Sequence, residues 1–327
     1  MVLRRSDGSL RQEIKVETER RTKLDVAEWW PALPFSAWRD TCATLQMWLQ
    51  MVGKLKLACC APQNHWWHVT FYVSGRGLRS GPIPDGKRAF EAEFDFQEHK
   101  LQLRTTDGLE KSLRLYPRSV ADFYRELMAA LSSLGIEVHI WPKPVEVAEP
   151  IPFPEDTIHS AYDADYARRF WRVLTTADTL LKEFRSPFLG KSSPVHFFWG
   201  GMDLALTRFS GRRAPPREGA DRVTREGYSH EVISGGFWPG DARFPEPAFY
   251  AYASPEPVGF LTSAVSPEKA FYSRDMGEFF LRYDDVRAAP SPRRAVLDFL
   301  QSTYEAGANL GGWDRSSLER TEPFPGS

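Results

Sequence analysis

The same short motifs recur in the same order in the two halves of this 327-residue chain. A chain with that property folds as two related units rather than as one unbroken domain. Trp38-Arg39 opens one apolar helical stripe and Trp171-Arg172 opens another. His65-Trp66-Trp67 follows the first, and His196-Phe197-Phe198 follows the second. Each strand region ends in Ser-Gly-Arg, at Ser74 to Arg76 and at Ser210 to Arg212, and a loop with Pro82 and Pro84 or with Pro215 and Pro216 comes next. Leu113-Arg114-Leu115-Tyr116 resembles Phe280-Leu281-Arg282-Tyr283, and Val120, Asp122 and Phe123 match Val296, Asp298 and Phe299. The offset grows from 131 between His65 and His196 to 176 between Val120 and Val296. The second copy therefore carries extra chain, which the Gly/Pro-rich composition places near 235–267.

Within the first copy, Trp38, Cys42, Leu45, Trp48, Leu49 and Val52 share one helical face from Phe35 onward, with Gly53 as the expected stop. His65, Trp67, Val69, Phe71 and Val73 alternate and predict a strand with a buried face. Further strands are predicted around Phe90, Ala92, Phe94 and Phe96, then Leu101, Leu103 and Thr105, then Leu113 and Leu115 after an Asp107-Gly108 hairpin. Ser119 caps a closing helix with the stripe Val120, Phe123, Leu127, Leu131 and Leu134. Helix, about four antiparallel strands and helix make an α+β unit, an α-β4-α layout with helices on one sheet face. Two such diverged copies are expected to pack about a pseudo-two-fold axis with a ligand cleft between them. The organisation reads as a mobile leader (1–28), a first copy (29–141), a linker (142–154), a second copy (155–313) and a tail (314–327). The linker is set by Pro142, Pro144, Pro150, Pro152 and Pro154, which keep it out of helices and central strands.

Composition narrows the classes of function. Forty-two basic and 43 acidic residues leave a net charge of −1, which gives no global field for nucleic acid or an anionic membrane. No apolar run approaches a membrane span of ~18 residues, and the N-terminal segment has no signal-peptide core. Cys42, Cys59 and Cys60 are too few for a disulfide framework. These features point to a soluble protein of the cytoplasm. No GxSxG, P-loop or GxGxxG pattern is present, so no nucleotide cofactor is expected.

From about Trp29 to Arg315 the chain resembles an uncharacterised bacterial family, domain of unknown function 5996. The residues that carry the resemblance are Trp30-Pro31-Ala32-Leu33-Pro34, Asn64-His65-Trp66-Trp67, Ser193-Pro194-Val195-His196-Phe197-Phe198-Trp199, Arg208-Phe209-Ser210-Gly211-Arg212 and Gly236-Phe237-Trp238-Pro239-Gly240. The resemblance implies no activity, cofactor or catalytic residue, so candidate sites rest on side-chain chemistry.

The second copy offers the richest set. His196 and Asp203 flank Gly200-Gly201, and a turn there would fold the carboxylate back towards the imidazole. His230-Glu231 would arrive from the next strand. His196, His230 and Asp203 or Glu231 then form a ligand set for a divalent ion, iron or zinc. The alternative is that His196 is a hydrogen-bonded strand-edge histidine and Asp203 caps a turn. Arg76 and Arg212, equivalent in the repeat, would face each other and hold an anionic ligand, with His65, Trp67 and Trp199 lining the cleft; both can equally be structural ion-pair partners. The expectation is therefore an enzyme, with metal assistance, acting on a small anionic or aromatic metabolite. Its rivals are a small-ligand binding module with Trp66, Trp67, Phe197, Phe198 and Trp199 as an aromatic cage, and a protein-interaction module.

Overall fold

The computed structural model describes residues 29–321, so the expected leader (1–28) and residues 322–327 of the tail lie outside the described residues. Helix α1 (Phe35–Cys59) is followed by strands β1 (Tyr72–Val73), β2 (Gly77–Arg79), β3 (Ile83–Asp85), β4 (Arg88–Asp95), β5 (Lys100–Thr105) and β6 (Glu110–Arg114), then helix α2 (Val120–Ser133). The second half begins with helix α3 (Ala164–Arg185) and continues through β7 (His196–Phe198), β8 (Asp203–Arg213), α4 (Arg222–Gly227), β9 (His230–Trp238), β10 (Ala248–Ser254), β11 (Phe271–Ser273) and β12 (Glu278–Arg282). Helices α5 (Tyr283–Ala288), α6 (Pro292–Leu310) and α7 (Arg315–Leu318) close it. The fold is α+β.

Each half contributes one antiparallel sheet. The first has the order β1-β2-β4-β5-β6, with β3 also on β4, and the second has the order β11-β12-β10-β9-β8-β7. The two edges meet where Phe71 and Phe197 exchange both backbone hydrogen bonds at 2.9 Å. Period-two alternation explains one buried face on each sheet. Phe90, Ala92, Phe94, Leu101, Leu103 and Leu113 point inward in the first, and Leu204, Leu206, Phe237, Phe249, Phe279 and Leu281 in the second. The helical stripes pack on these faces, and a continuous core runs through both halves by way of Trp48, Phe123, Phe170, Phe197 and Phe299. Ser119 caps α2 as expected, its hydroxyl accepting from the Asp122 amide.

Two local expectations are corrected. Gly53 does not stop α1, which continues to Cys59. The glycine is instead a gap for the Trp199 indole, whose Cδ1 would lie 2.5 Å from an added Cβ, and whose Nε1 donates to the Val69 carbonyl at 2.8 Å. The predicted strand from His65 to Val73 is mostly not a strand. Asn64–Val69 form a tight 3-10 segment in which His65 and Trp66 adopt left-handed backbone (φ 55° and 62°), leaving only Tyr72–Val73 extended in the ladder. Phe71 is fully buried there, while Trp67 and Val73 are half-buried. The 235–267 stretch read as extra chain contains the end of β9 and all of β10, central strands of the second sheet.

Replacing Gly53 with Ala is expected to destabilise the fold by about 2–3 kcal/mol, because the added methyl displaces a buried, hydrogen-bonded indole. Urea unfolding checks this; an unchanged midpoint would show that Trp199 moves aside freely.

Candidate functional site

The face of the second sheet turned away from the helices is not an ordinary polar surface. Cross-strand partners form a row across all six strands: His196, Ala205, Gly236, Tyr250, Phe280 and Phe271. The small residues at its middle leave a trough. The Tyr250 ring lies over Gly236, where an added Cβ would stand 2.8 Å from the phenol oxygen. From there the Tyr250 hydroxyl donates to Asp203 Oδ2 at 2.6 Å, two strands away. Ala205, Ala248, Tyr250 and Phe280 form a buried floor, with Phe198, Trp238, Phe244, Phe271 and Met276 packed around it.

Three carboxylates gather at this face. Asp203 sits at the start of β8, opposite Phe198, and its pKa is pushed up to about 7 by burial and by the Glu146 charge, against the Tyr250 hydrogen bond. Glu278, on β12, is also pushed up to about 7, first by burial and then by the charge of Asp203. Glu146 reaches the site from the Pro-rich linker, and burial raises its pKa too. Its carboxylate rests on Gly200, leaving no room for a Cβ there, and its own backbone is left-handed (φ 56°). Helix α1 fixes this approach. Gln50 is fully buried and bonds both the N–H and the C=O of Val145, at 2.9 and 2.8 Å, while Gln46 donates to the Gly200 carbonyl. No ion pair to any of the three carboxylates is formed among the described residues. Their neighbours are tyrosines: Tyr250 stacks on Tyr252, whose hydroxyl meets that of Tyr228 at 3.2 Å. Arg217 lies over Tyr228 and donates to Ser254, at one rim of the pocket.

The sequence-derived candidates divide into groups. His65, Trp67, His196 and His230 are linked on the side of the second sheet away from the helices: Trp67 is 5.5 Å from His196 and 5.3 Å from His65, and His65 is 5.8 Å from His230, ring to ring. The structure does not gather His196, His230, Asp203 and Glu231 around one point. Gly236 stands opposite Ala205, the partner of His196, and His230 lies six residues farther along β9. That is on the order of 20 Å of strand. Glu231, its sequence neighbour, takes the opposite face, where it accepts from Ser210 and Arg212. Among the described residues no group of three or more His, Cys, Asp or Glu side chains is arranged to hold a metal ion. His196 is 1% exposed and its Nδ1 has no partner. Burial and the Lys56 charge push its pKa down to about 4, so it is neutral at pH 7.

Arg76 and Arg212 are each held locally. Arg76 donates to Asp95 at 2.5 Å, and Arg212 donates to Glu231 and to the carbonyls of Gly311 and Gly312 behind α6. Trp199 is 7% exposed and belongs to the core. The residues that sequence reasoning missed are Tyr228, Tyr250, Tyr252, Glu278 and Glu146. Alternation in Ala248 to Ser254 does put Tyr250 and Tyr252 on one face, a signal that was available. Nothing in the linker's sequence marks Glu146.

The chain belongs to the family of unknown function DUF5996, whose model matches residues 30–320. No curated protein and no solved structure matches it. Among the described residues no helix is long and apolar enough to cross a membrane.

Proposed function

We propose that this chain is an enzyme that transfers a proton to or from a small molecule bound on the open face of the second sheet. The observation that carries the reading is the hydrogen-bonded Tyr250–Asp203 pair, set beside Glu278 and Glu146 with no ion pair to a cation among the described residues. Like-charged carboxylates sharing a low-dielectric site cannot all ionise together near neutrality. One keeps its proton and serves as acid while another serves as base, which is how paired carboxylates divide the two roles. The aromatic walls suit a ligand with an apolar or aromatic body. A shared ion is not part of the proposal, because His196 on β7 and His230 at the start of β9 are not brought together.

We also infer an internal duplication. Two details beyond the strand orders support it. In both Ser-Gly-Arg segments the serine hydroxyl accepts from the arginine amide and donates to a glutamate of a neighbouring strand, Glu93 or Glu231. In both, the arginine Nε donates to a carboxylate nineteen positions on, Asp95 or Glu231. On this reading the first copy kept the scaffold and the second kept the site.

The test is a thermal-shift screen of the purified protein against small metabolites, followed by turnover assays on the hits. We expect hits whose stabilisation is lost in Asp203→Asn and Tyr250→Phe, and a turnover rate that peaks near pH 7 and falls by ~10²-fold or more in Asp203→Asn. Ligands that bind these variants equally well would overturn the site. Binding that needs Asp203 without any turnover would favour the non-catalytic binding module.

A further inference from the structure

We infer that the cleft at the far end of β8 is a second ligand site, for a small molecule with a phosphate or carboxylate group on an apolar or aromatic body. The cleft holds about 860 Å³ and lies between the C-terminal end of α3 and the Ser210-Gly211 bulge of β8. Ser210 is seven residues along β8 from Asp203, roughly 23 Å away, so the cleft is separate from the acidic pocket. Its volume falls in the range of small-molecule sites.

Charge sets the ligand class. Lys182, Arg185, Lys191 and Arg320 line the cleft; Lys182 is paired with Asp178 one turn earlier on α3, and no Asp or Glu is among the described residues that line it. Arg185 and Lys191 are the two that matter, because this chain carries net −1 and commonly ties its arginines to acids. Arg76, Arg88, Arg104, Arg212 and Arg315 all sit in salt bridges. Among the described residues Arg185 instead meets a neutral hydroxyl, donating from Nε to Ser192 at 2.9 Å, and its two terminal nitrogens form no ion pair. Among the described residues the Lys191 ammonium makes no side-chain hydrogen bond or ion pair, while its backbone carbonyl accepts from the Phe209 amide. A guanidinium fork and an ammonium lining one cleft suit an oxyanion.

The framework is rigid and partly apolar. Leu189 and Gly190 donate backbone hydrogen bonds to the Leu318 carbonyl, and Ser193 and Phe209 tie the Lys191 segment to β8. Beneath it Arg208, 2% exposed, is stacked against Phe184, Phe188 and Tyr304, which adds a buried positive charge behind the wall. Leu189, 53% exposed, offers the apolar surface that the body of the ligand would cover.

Calorimetric titration of the full chain with phenyl phosphate, inorganic phosphate, phenol and a single-stranded oligonucleotide tests the assignment. Phenyl phosphate should bind saturably, more tightly than inorganic phosphate or phenol, and more weakly as salt rises. Lys191→Ala and Arg185→Ala should each weaken it roughly tenfold. The melting temperature of Lys191→Ala without ligand should not move, since that side chain makes no bond to the described residues. Absence of saturable phenyl phosphate binding, or an affinity that Lys191→Ala leaves unchanged, overturns the site. Tighter binding of the oligonucleotide than of phenyl phosphate also overturns it, in favour of a nucleic-acid surface.

Discussion

Replacing Asp203 with Asn is expected to stabilise the protein at pH 8 and to change it little near pH 4. In the fold the Asp203 pKa rises from its ordinary 3.8 to about 7, chiefly through burial, so the native state holds a proton that the unfolded chain has already released. Stability tied to this group is intact below about pH 4, and it is lost as pH rises towards 7. The rise corresponds to at most about 4 kcal/mol, less whatever solvent reaches this half-buried group. Asparagine occupies the same volume, still accepts from Tyr250, and never ionises. Glu278 should respond as well, because Asp203's charge helps raise it. The check is a pair of denaturation curves at several pH values for wild type and variant. A stability difference that does not grow between pH 4 and 8 would show that Asp203 titrates as an ordinary surface acid, and the acid–base reading would lose its basis. The gain in stability should come with loss of function, the usual exchange when a strained polar site is relaxed.

Much of this scaffold could be read from periodicity. The stripes of α1, α2 and α3 fall on their buried faces, and Phe90, Ala92 and Phe94 alternate inward on β4. Such patterns are local, and each is enforced by one core. The errors arise where distant groups do the work of local ones. His65 to Val69 alternates like a strand, but its polar groups bond far away. The His65 ring donates to Gly227, and Trp199 donates to the Val69 carbonyl. Lys56 donates to the carbonyls of Thr70 and Ser80. A carbonyl satisfied by a buried lysine or indole has no need of a ladder, so the segment can turn. Gly53 misleads for a related reason: its missing side chain answers to Trp199 and not to the end of a helix.

The site was legible only in pieces for the same reason. Asp203 and His196 stand out in the sequence by residue type, and the Gly200-Gly201 turn between them is real. Their grouping with His230 assumed that neighbouring strands bring neighbouring residues together. Register decides otherwise, placing Ala205 and Gly236 beside His196 and sending His230 to the far end of β9. Glu146 depends on Gln50 holding its neighbour Val145, 95 positions from that glutamine, by both backbone groups.

Gly236 is the position where fold and site depend on a single missing atom. A Cβ there would stand 2.0 Å from the Leu204 carbonyl on one side and 2.8 Å from the Tyr250 hydroxyl on the other. The first contact is with backbone of β8, which is paired on both sides and cannot swing away without breaking its ladders. Gly236→Ala is therefore expected to cost about 3 kcal/mol or more, beyond the usual range for an alanine in a strand. The second contact lifts the phenol off the trough and breaks its bond to Asp203. Combining Gly236→Ala with Tyr250→Phe separates the two effects. The double variant should recover little stability, since the backbone clash persists, and ligand binding in the acidic pocket should be no worse than in Tyr250→Phe alone. Urea unfolding of the three variants, with binding of one screened ligand, decides the matter. Full recovery of stability in the double variant would mean that the phenol, and not the strand, sets the need for glycine.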